Sequence, residues 1–251
     1  MTMDRFHIPP AQFNLQGLRL TGPEAHHCVG VMRHREGDSI VVFDGQGLEV
    51  MGKIVSLSKN EVVLSIQNQS KTPPLPCAIT LAQAIPKGKN MEAILQKATE
   101  LGAHRIVPLL SARTVVHVDE DRADSKAGKW QHTVIEAAKQ CGTNWVPRVD
   151  QPVEVKRFFD EKPRFDLMLI ASLQPDARHF KKVLADVREE GSGRKPSSVL
   201  ILIGPEGDFT PAEISLAKGA GCQPITLGPQ VLRCETAAIY TLSLLSYELQ
   251  S

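Results

Sequence analysis

The chain has 251 residues, 42% hydrophobic and 23% charged, enough to build one large domain or two modest ones and too ordered in composition for a disordered or fibrous protein. A net charge of +1 and a pI near 7.7 exclude a globally basic nucleic-acid binder, so any such surface must be a local patch. The five cysteines are scattered without a CxxC pair, and no apolar run approaches the roughly 20 residues of a membrane span. With no signal-peptide core at the N-terminus, these features predict a cytoplasmic protein without disulfides or membrane contact.

In chain order, short β-like runs come first: SIVVFD at Ser39 to Asp44, LEVMGKIVSL at Leu48 to Leu57 and EVVLSIQ at Glu61 to Gln67. Their close spacing and polar turns predict a small barrel. From His26 the segment HHCVGVMRHREGD carries a basic cluster, Arg33 to Arg35, which suits phosphate contacts and equally suits a solvated helix end. His26, His27 and Cys28 are adjacent, a poor spacing for joint chelation, so no metal site is expected. SKTPPLPC, from Ser70 to Cys77, holds three prolines and reads as a linker, dividing the chain into 1–72 and 73–251.

Beyond the linker the period changes. CAITLAQA (Cys77 to Ala84) reads as a buried strand, and Met91, Ile94, Leu95, Ala98 and Leu101 recur at helical spacing before Gly102. A strand at Arg105 to Leu110, a helix at Lys129 to Cys141, a strand at Phe165 to Ala171 and a helix at Asp176 to Glu189 follow. VLILI, Val199 to Ile203, reads as a strand covered on both faces. It breaks at Gly204, Pro205 and Gly207, and Thr210, Pro211 and Glu213 supply the N-cap, first residue and capping-box acid of a helix that stops near Gly221. A last strand at Ile225 to Leu227 leads through Gly228 and Pro229 to Arg233, Cys234 and Glu235, then to an apolar helix from about Thr236. Alternating strands and helices predict a parallel α/β sheet. Its ligand crevice would lie beyond the carboxyl ends of the strands, although GPEG alone would also serve as a tight turn. Apolar residues of the closing helix cover more than one face, which predicts a homodimer with this helix near the interface.

LIGPEGDFTPAEI followed by LGPQVLRCETAAIYTLSLL resembles the RsmE family of SPOUT-class methyltransferases, which act on N3 of uridine in small-subunit (16S) ribosomal RNA. QAIPKGKNMEAILQKATELGAHRIVPLLSART (Gln83 to Thr114) and EAAKQCGTNWVPRV (Glu136 to Val149) are similar to that family's other segments, in the same order. RFHIPP and LTGPEAHHCVGVMRHREGD resemble its PUA-like RNA-binding domain. The resemblance implies a PUA-like β-barrel followed by a trefoil-knotted parallel sheet, S-adenosylmethionine as cofactor without a metal, and a dimer acting on ribosomal RNA in the small subunit. It implies cofactor contacts from Ser172 and Leu173, from Ile203, Gly204, Pro205, Glu206 and Gly207, and from Leu227, Gly228, Val231, Leu232, Arg233, Thr236 and Ala237.

Uridine N3 becomes nucleophilic only as its imide proton leaves, so the site needs a proton acceptor and a cation near the carbonyls. Arg233 is expected to orient the nucleotide or stabilise its developing anion, and Glu235 to accept the proton or orient Arg233. A structural ion pair between the two is the plain alternative. Arg5, Arg33, Arg35, Lys87, Lys89, Lys97 and Arg113 are candidates for RNA phosphate contacts. The sequence departs from the family pattern at Asp208, where glycine is expected, at Cys234 within LRCETA, and at Thr143, where an arginine is expected and Arg148 is the nearby substitute. No GxGxG follows the first C-terminal strand and no GxSxG is present, so a Rossmann-type methyltransferase and an α/β hydrolase are disfavoured. A non-enzymatic RNA-binding assembly factor, or a SPOUT enzyme for another base or a ribose, remains the rival reading.

Overall fold

A computed structural model describes residues 3–114, 120–190 and 194–250. The chain forms two compact units: residues 1–74 with 135–146, and residues 75–134 with 147–251. The sequence division at 72/73 did not anticipate the return of Ile135–Val146 to the first unit.

The first unit holds β1 (Arg5–His7), β2 (Arg19–Thr21), β3 (Ser39–Phe43), β4 (Leu48–Leu57) and β5 (Glu61–Lys71) in one five-stranded sheet of order β1-β3-β4-β5-β2. A short helix α1 (Gly22–His26) continues into a π-helical turn, His27–Val31. The barrel expectation is met as a curled sheet with β1 and β2 at its ends. Register shifts between Met51 and Gly52 and between Ile54 and Ser56 bend β4. β5 runs past the expected end because Leu48 to Met51 pair with Lys71 to Asn68, so Ser70 and Lys71 are strand rather than linker. Alternate residues point inward, and Phe6, Leu18, Leu20, Ile40, Val42, Val50 and Val62 form the core.

Apart from residues 135–141 of α3, which belong to the first unit, the second unit follows a strand–helix alternation: β6 (Ala78–Ala84), α2 (Asn90–Glu100), β7 (Arg105–Leu110), α3 (Glu120–Cys141), β8 (Arg148–Val149), β9 (Val153–Glu154), α4 (Val155–Asp160), β10 (Leu167–Ala171), β11 (Arg178–His179), α5 (Phe180–Glu190), β12 (Ser198–Ile203), α6 (Pro211–Gly219), β13 (Gln223–Thr226) and α7 (Cys234–Leu249). Eight strands form one sheet of order β11-β13-β10-β12-β6-β7-β8, with β9 also on β7, and the pairings are parallel. β6 and β12 lie at its centre and are apolar nearly throughout, as burial on both faces requires.

Ala82, Ala84, Val107, Leu109, Leu200 and Leu202 pack with Phe209, Ile214 and Ala217 of the loop and helix after β12. α7 packs with α2, β6 and β12, burying Ala238, Leu242 and Leu245. Several boundaries differ from the sequence reading. α3 begins at Glu120 rather than Lys129; its first turns are mostly polar and carry no apolar period to mark them. α5 begins only at Phe180, since Arg178 and His179 pair with β13. α4, β8, β9 and β11 are short elements that carry no periodic signal. Among the described residues no helix is long and apolar enough to cross a membrane.

Candidate functional site

Strands β13, β10 and β12 are neighbours and parallel, so the loops that follow them leave one edge of the sheet. These are residues 172–177 after β10, 204–210 after β12 and 227–233 after β13. Residues of all three loops line one open crevice. Ser172 N donates to Ile225 O at 3.0 Å, carrying the β10–β13 ladder one residue into the loops.

The glycine loop is fixed from several directions. Asp208 N donates to Pro205 O at 2.9 Å, closing the turn. Lys87 N donates to Glu206 Oε1 at 2.8 Å, and the Arg113 guanidinium donates to the Gly207 carbonyl. Thr210 caps α6 in a full capping box with Glu213. Glu213 also accepts from Ser111 Oγ at 3.1 Å and Ala112 N at 2.9 Å, so the loop after β7 is tied to the start of α6.

Asp208, where the family resemblance leads one to expect glycine, has φ 61. Asp tolerates this left-handed region better than most side chains. Its Oδ1 accepts from Phe209 N at 2.8 Å and its Oδ2 from Leu173 N at 3.3 Å, joining the loops after β10 and β12. Gly204 keeps the approach beside it close, since a Cβ there would lie 3.1 Å from Asp208 Oδ1 and 3.2 Å from Phe209 N, tighter than ordinary contact.

Of the residues expected at the cofactor, Ser172, Leu173, Ile203, Gly204, Pro205, Glu206, Leu227, Gly228, Val231, Leu232 and Ala237 line the crevice; Gly207, Arg233 and Thr236 do not. Ala171, Asp208, Ile225, Thr226, Gln230 and Cys234 also line it and were missed, although each lies within or beside a loop already singled out. The wall combines apolar side chains with loop backbone, and Leu173 and Val231 are 62% and 75% exposed at its rim. That lining suits a flat apolar ring system carrying a polar tail. Burial, followed by the carboxylates of Glu206 and Glu235, pushes the Cys234 thiol up to about 11, so it stays neutral and serves as packing. Among the described residues no cluster of histidine, cysteine and acid side chains is arranged to hold a metal ion.

Arg233 is the N-cap residue of α7 and exposed; its carbonyl accepts from Ala237 N at 2.8 Å, and no side-chain hydrogen bond or ion pair of its guanidinium is found among the described residues. Glu235, half-buried in the first turn, accepts from Asn90 Nδ2 at 3.4 Å. Among the described residues no ion pair joins Arg233 to Glu235, the alternative considered from the sequence.

The proposed phosphate contacts divide. Arg5 is turned inward, its guanidinium on Glu49 at 2.6 Å and on Asn144, and its side chain is 14% exposed. Lys97 pairs with Glu100 at 2.9 Å and Arg113 with the Gly207 carbonyl. Arg33, at φ 59, and Arg35 are exposed, as are Lys87 and Lys89. Arg148 pairs with Asp150 at 2.9 Å. Thr143 Oγ1 accepts from Trp145 N at 3.2 Å and so holds a turn.

Residues 73–246 match the RNA methyltransferase domain family, and residues 20–67 match the RNA methyltransferase PUA domain family. The chain is 37% identical to ribosomal RNA small subunit methyltransferase E of Bacillus subtilis, over 91% of this chain and 89% of that protein. The crystal structure of ribosomal RNA small subunit methyltransferase E from Neisseria gonorrhoeae bound to S-adenosyl methionine is 32% identical, with a TM-score of 0.83 over 98% of both chains. A Legionella pneumophila protein solved with bound cofactor SAM is 33% identical, with a TM-score of 0.87 over 98% of both chains.

Proposed function

The chain belongs to the ribosomal RNA small subunit methyltransferase E family, and we propose on that premise that it methylates N3 of a uridine in 16S ribosomal RNA with S-adenosylmethionine as donor. The observation that carries this reading is the crevice bounded by the loops after β10, β12 and β13, whose wall of apolar side chains and loop backbone suits an adenosine with a short charged tail. Ser172, the Gly204–Glu206 backbone and Leu227–Leu232 would hold it there, and no metal is needed. When bound, the donor supplies an electrophilic methyl group.

The chain's own residues then have to orient a uracil ring and manage one proton. Arg233 is exposed at the head of α7 and outside the crevice wall, which supports a role toward the nucleotide rather than the donor. Its charge would stabilise the oxygens of the uracil as the imide proton leaves. Glu235, two residues on and held by Asn90, would accept that proton. Positioning of the two reactants supplies a large part of the acceleration.

Arg33, Arg35, Lys87 and Lys89 are the exposed cations we assign to RNA phosphates. We read the protein as a cytoplasmic homodimer acting on the small subunit. Tyr240, Leu244 and Tyr247 form one stripe of α7, with Tyr240 43% and Tyr247 76% exposed, which supports a second copy against it. A monomer in sedimentation at micromolar concentration would remove that part. The strand order, with β13 beside β10 rather than beyond β12, supports the knotted threading that the family resemblance implies.

Calorimetry with S-adenosylmethionine, followed by nucleoside mass spectrometry of 16S RNA incubated with chain and donor, tests the reading. Donor binding and a new N3-methyluridine are expected. Binding of RNA with no donor heat and no methylated product would identify a non-enzymatic assembly factor instead.

A further inference from the structure

The charge of the crevice wall is one-sided. Glu206 and Asp208 line it, whereas no lysine, arginine or histidine does among the described residues. Arg113 donates to the Gly207 carbonyl but is not part of the wall, and Lys87 meets Glu206 through its backbone N–H. Both carboxylates are held by main-chain donors: Glu206 by Lys87, Asp208 by Phe209 and Leu173. Main-chain hydrogen bonds fix an anion in place without cancelling its charge.

Methyl transfer changes the ligand by one charge. The sulfur–methyl bond breaks with its electron pair left on sulfur, a nitrogen–methyl bond forms on the uracil, and the imide proton passes to an acceptor on the protein. A sulfonium cation thereby becomes a neutral thioether. The adenosine and the amino-acid tail are the same before and after, so wall contacts that do not sense charge hold donor and product alike. Only fixed charge near the ligand can separate them electrostatically.

Resting on the function proposed above, we infer that Asp208, with Glu206 beside it, is a specificity-determining residue that makes the crevice prefer the cationic methyl donor to its neutral demethylated product. The preference favours loading before transfer and release afterwards. Asp208 is the informative position because its conformation at φ 61 is also open to glycine, so its carboxylate can be removed without forcing the backbone.

The test is titration calorimetry of the full chain with S-adenosylmethionine and with S-adenosylhomocysteine, for wild type, Asp208→Asn and Asp208→Gly. The ratio of product Kd to donor Kd should fall by about threefold or more in both variants, the scale of a partly exposed charge interaction. Most of the fall should come from weaker donor binding. If both ligands weaken in equal proportion, Asp208 is only a clasp between the two loops and the inference is overturned while the function stands. A wild-type chain that binds neither ligand would overturn the function and the inference together.

Discussion

Glu213 joins the sheet's loops to α6, and replacing it with alanine should cost the second unit about 2–3 kcal/mol. Its carboxylate accepts from Thr210 N at 2.8 Å, Thr210 Oγ1 at 2.9 Å, Ser111 Oγ at 3.1 Å and Ala112 N at 2.9 Å. Losing the acid half of a capping box costs about 1 kcal/mol. Hydrogen bonds to a charged acceptor run to roughly 1.5–3 kcal/mol when buried, but Glu213 is half-exposed, so about 0.5–1 kcal/mol for each of the two ties to the β7 loop is the appropriate scale. For a unit of this size the total corresponds to a fall in Tm of about 5–10 °C, readable by scanning calorimetry or far-UV circular dichroism. Glu213→Gln keeps an acceptor oxygen and should lose less than half as much. A fall below about 1 °C for alanine, or equal falls for both variants, would refute the view that this carboxylate ties the two loops together.

Further expectations follow from the same geometry. Arg233→Ala should reduce methyl transfer by roughly 100-fold or more while leaving the donor Kd within about twofold, since Arg233 does not line the crevice; unchanged turnover would remove it from the mechanism. Gly47→Ala should destabilise the first unit by about 3 kcal/mol in urea unfolding, because Gly47 has φ 98 and a Cβ there would lie 2.5 Å from Thr72 O and 2.9 Å from the Trp145 ring. Alkylation of the native chain at pH 8 should modify Cys141 alone. Burial holds the Cys28, Cys77 and Cys234 thiols at about 11 and Cys222 at about 12, leaving little thiolate, whereas Cys141 is exposed. Mass spectrometry showing two or more adducts before unfolding would contradict that packing.

Much of the second unit is written locally. VLILI ends where its strand ends, Thr210, Pro211 and Glu213 make the capping box they spell, and Gly102 adopts φ 76 just past α2. These signals work because each depends on a few neighbouring residues. What depends on distant partners was not legible. The polar start of α3 has no apolar period, and β8 and β11 are strands only because β7 and β13 lie beside them. Nothing near Ile135–Val146 in sequence shows that Val146 N donates to Gly45 O or that Asn144 meets Arg5. The same holds for the candidate site. The crevice residues came from loops read as contiguous stretches, whereas the acceptors of Arg5 and Arg113, Glu49 and the Gly207 carbonyl, lie 44 and 94 residues away and leave no local signal.

The central claim is that the loops after β10, β12 and β13 jointly hold the methyl donor. A crystal structure of the chain grown with S-adenosylmethionine tests it most directly. The donor should lie between Ser172, Gly204 and Leu227, with Arg233 facing away from the adenosine. Donor density elsewhere on the chain, with that crevice filled only by solvent, would contradict the account.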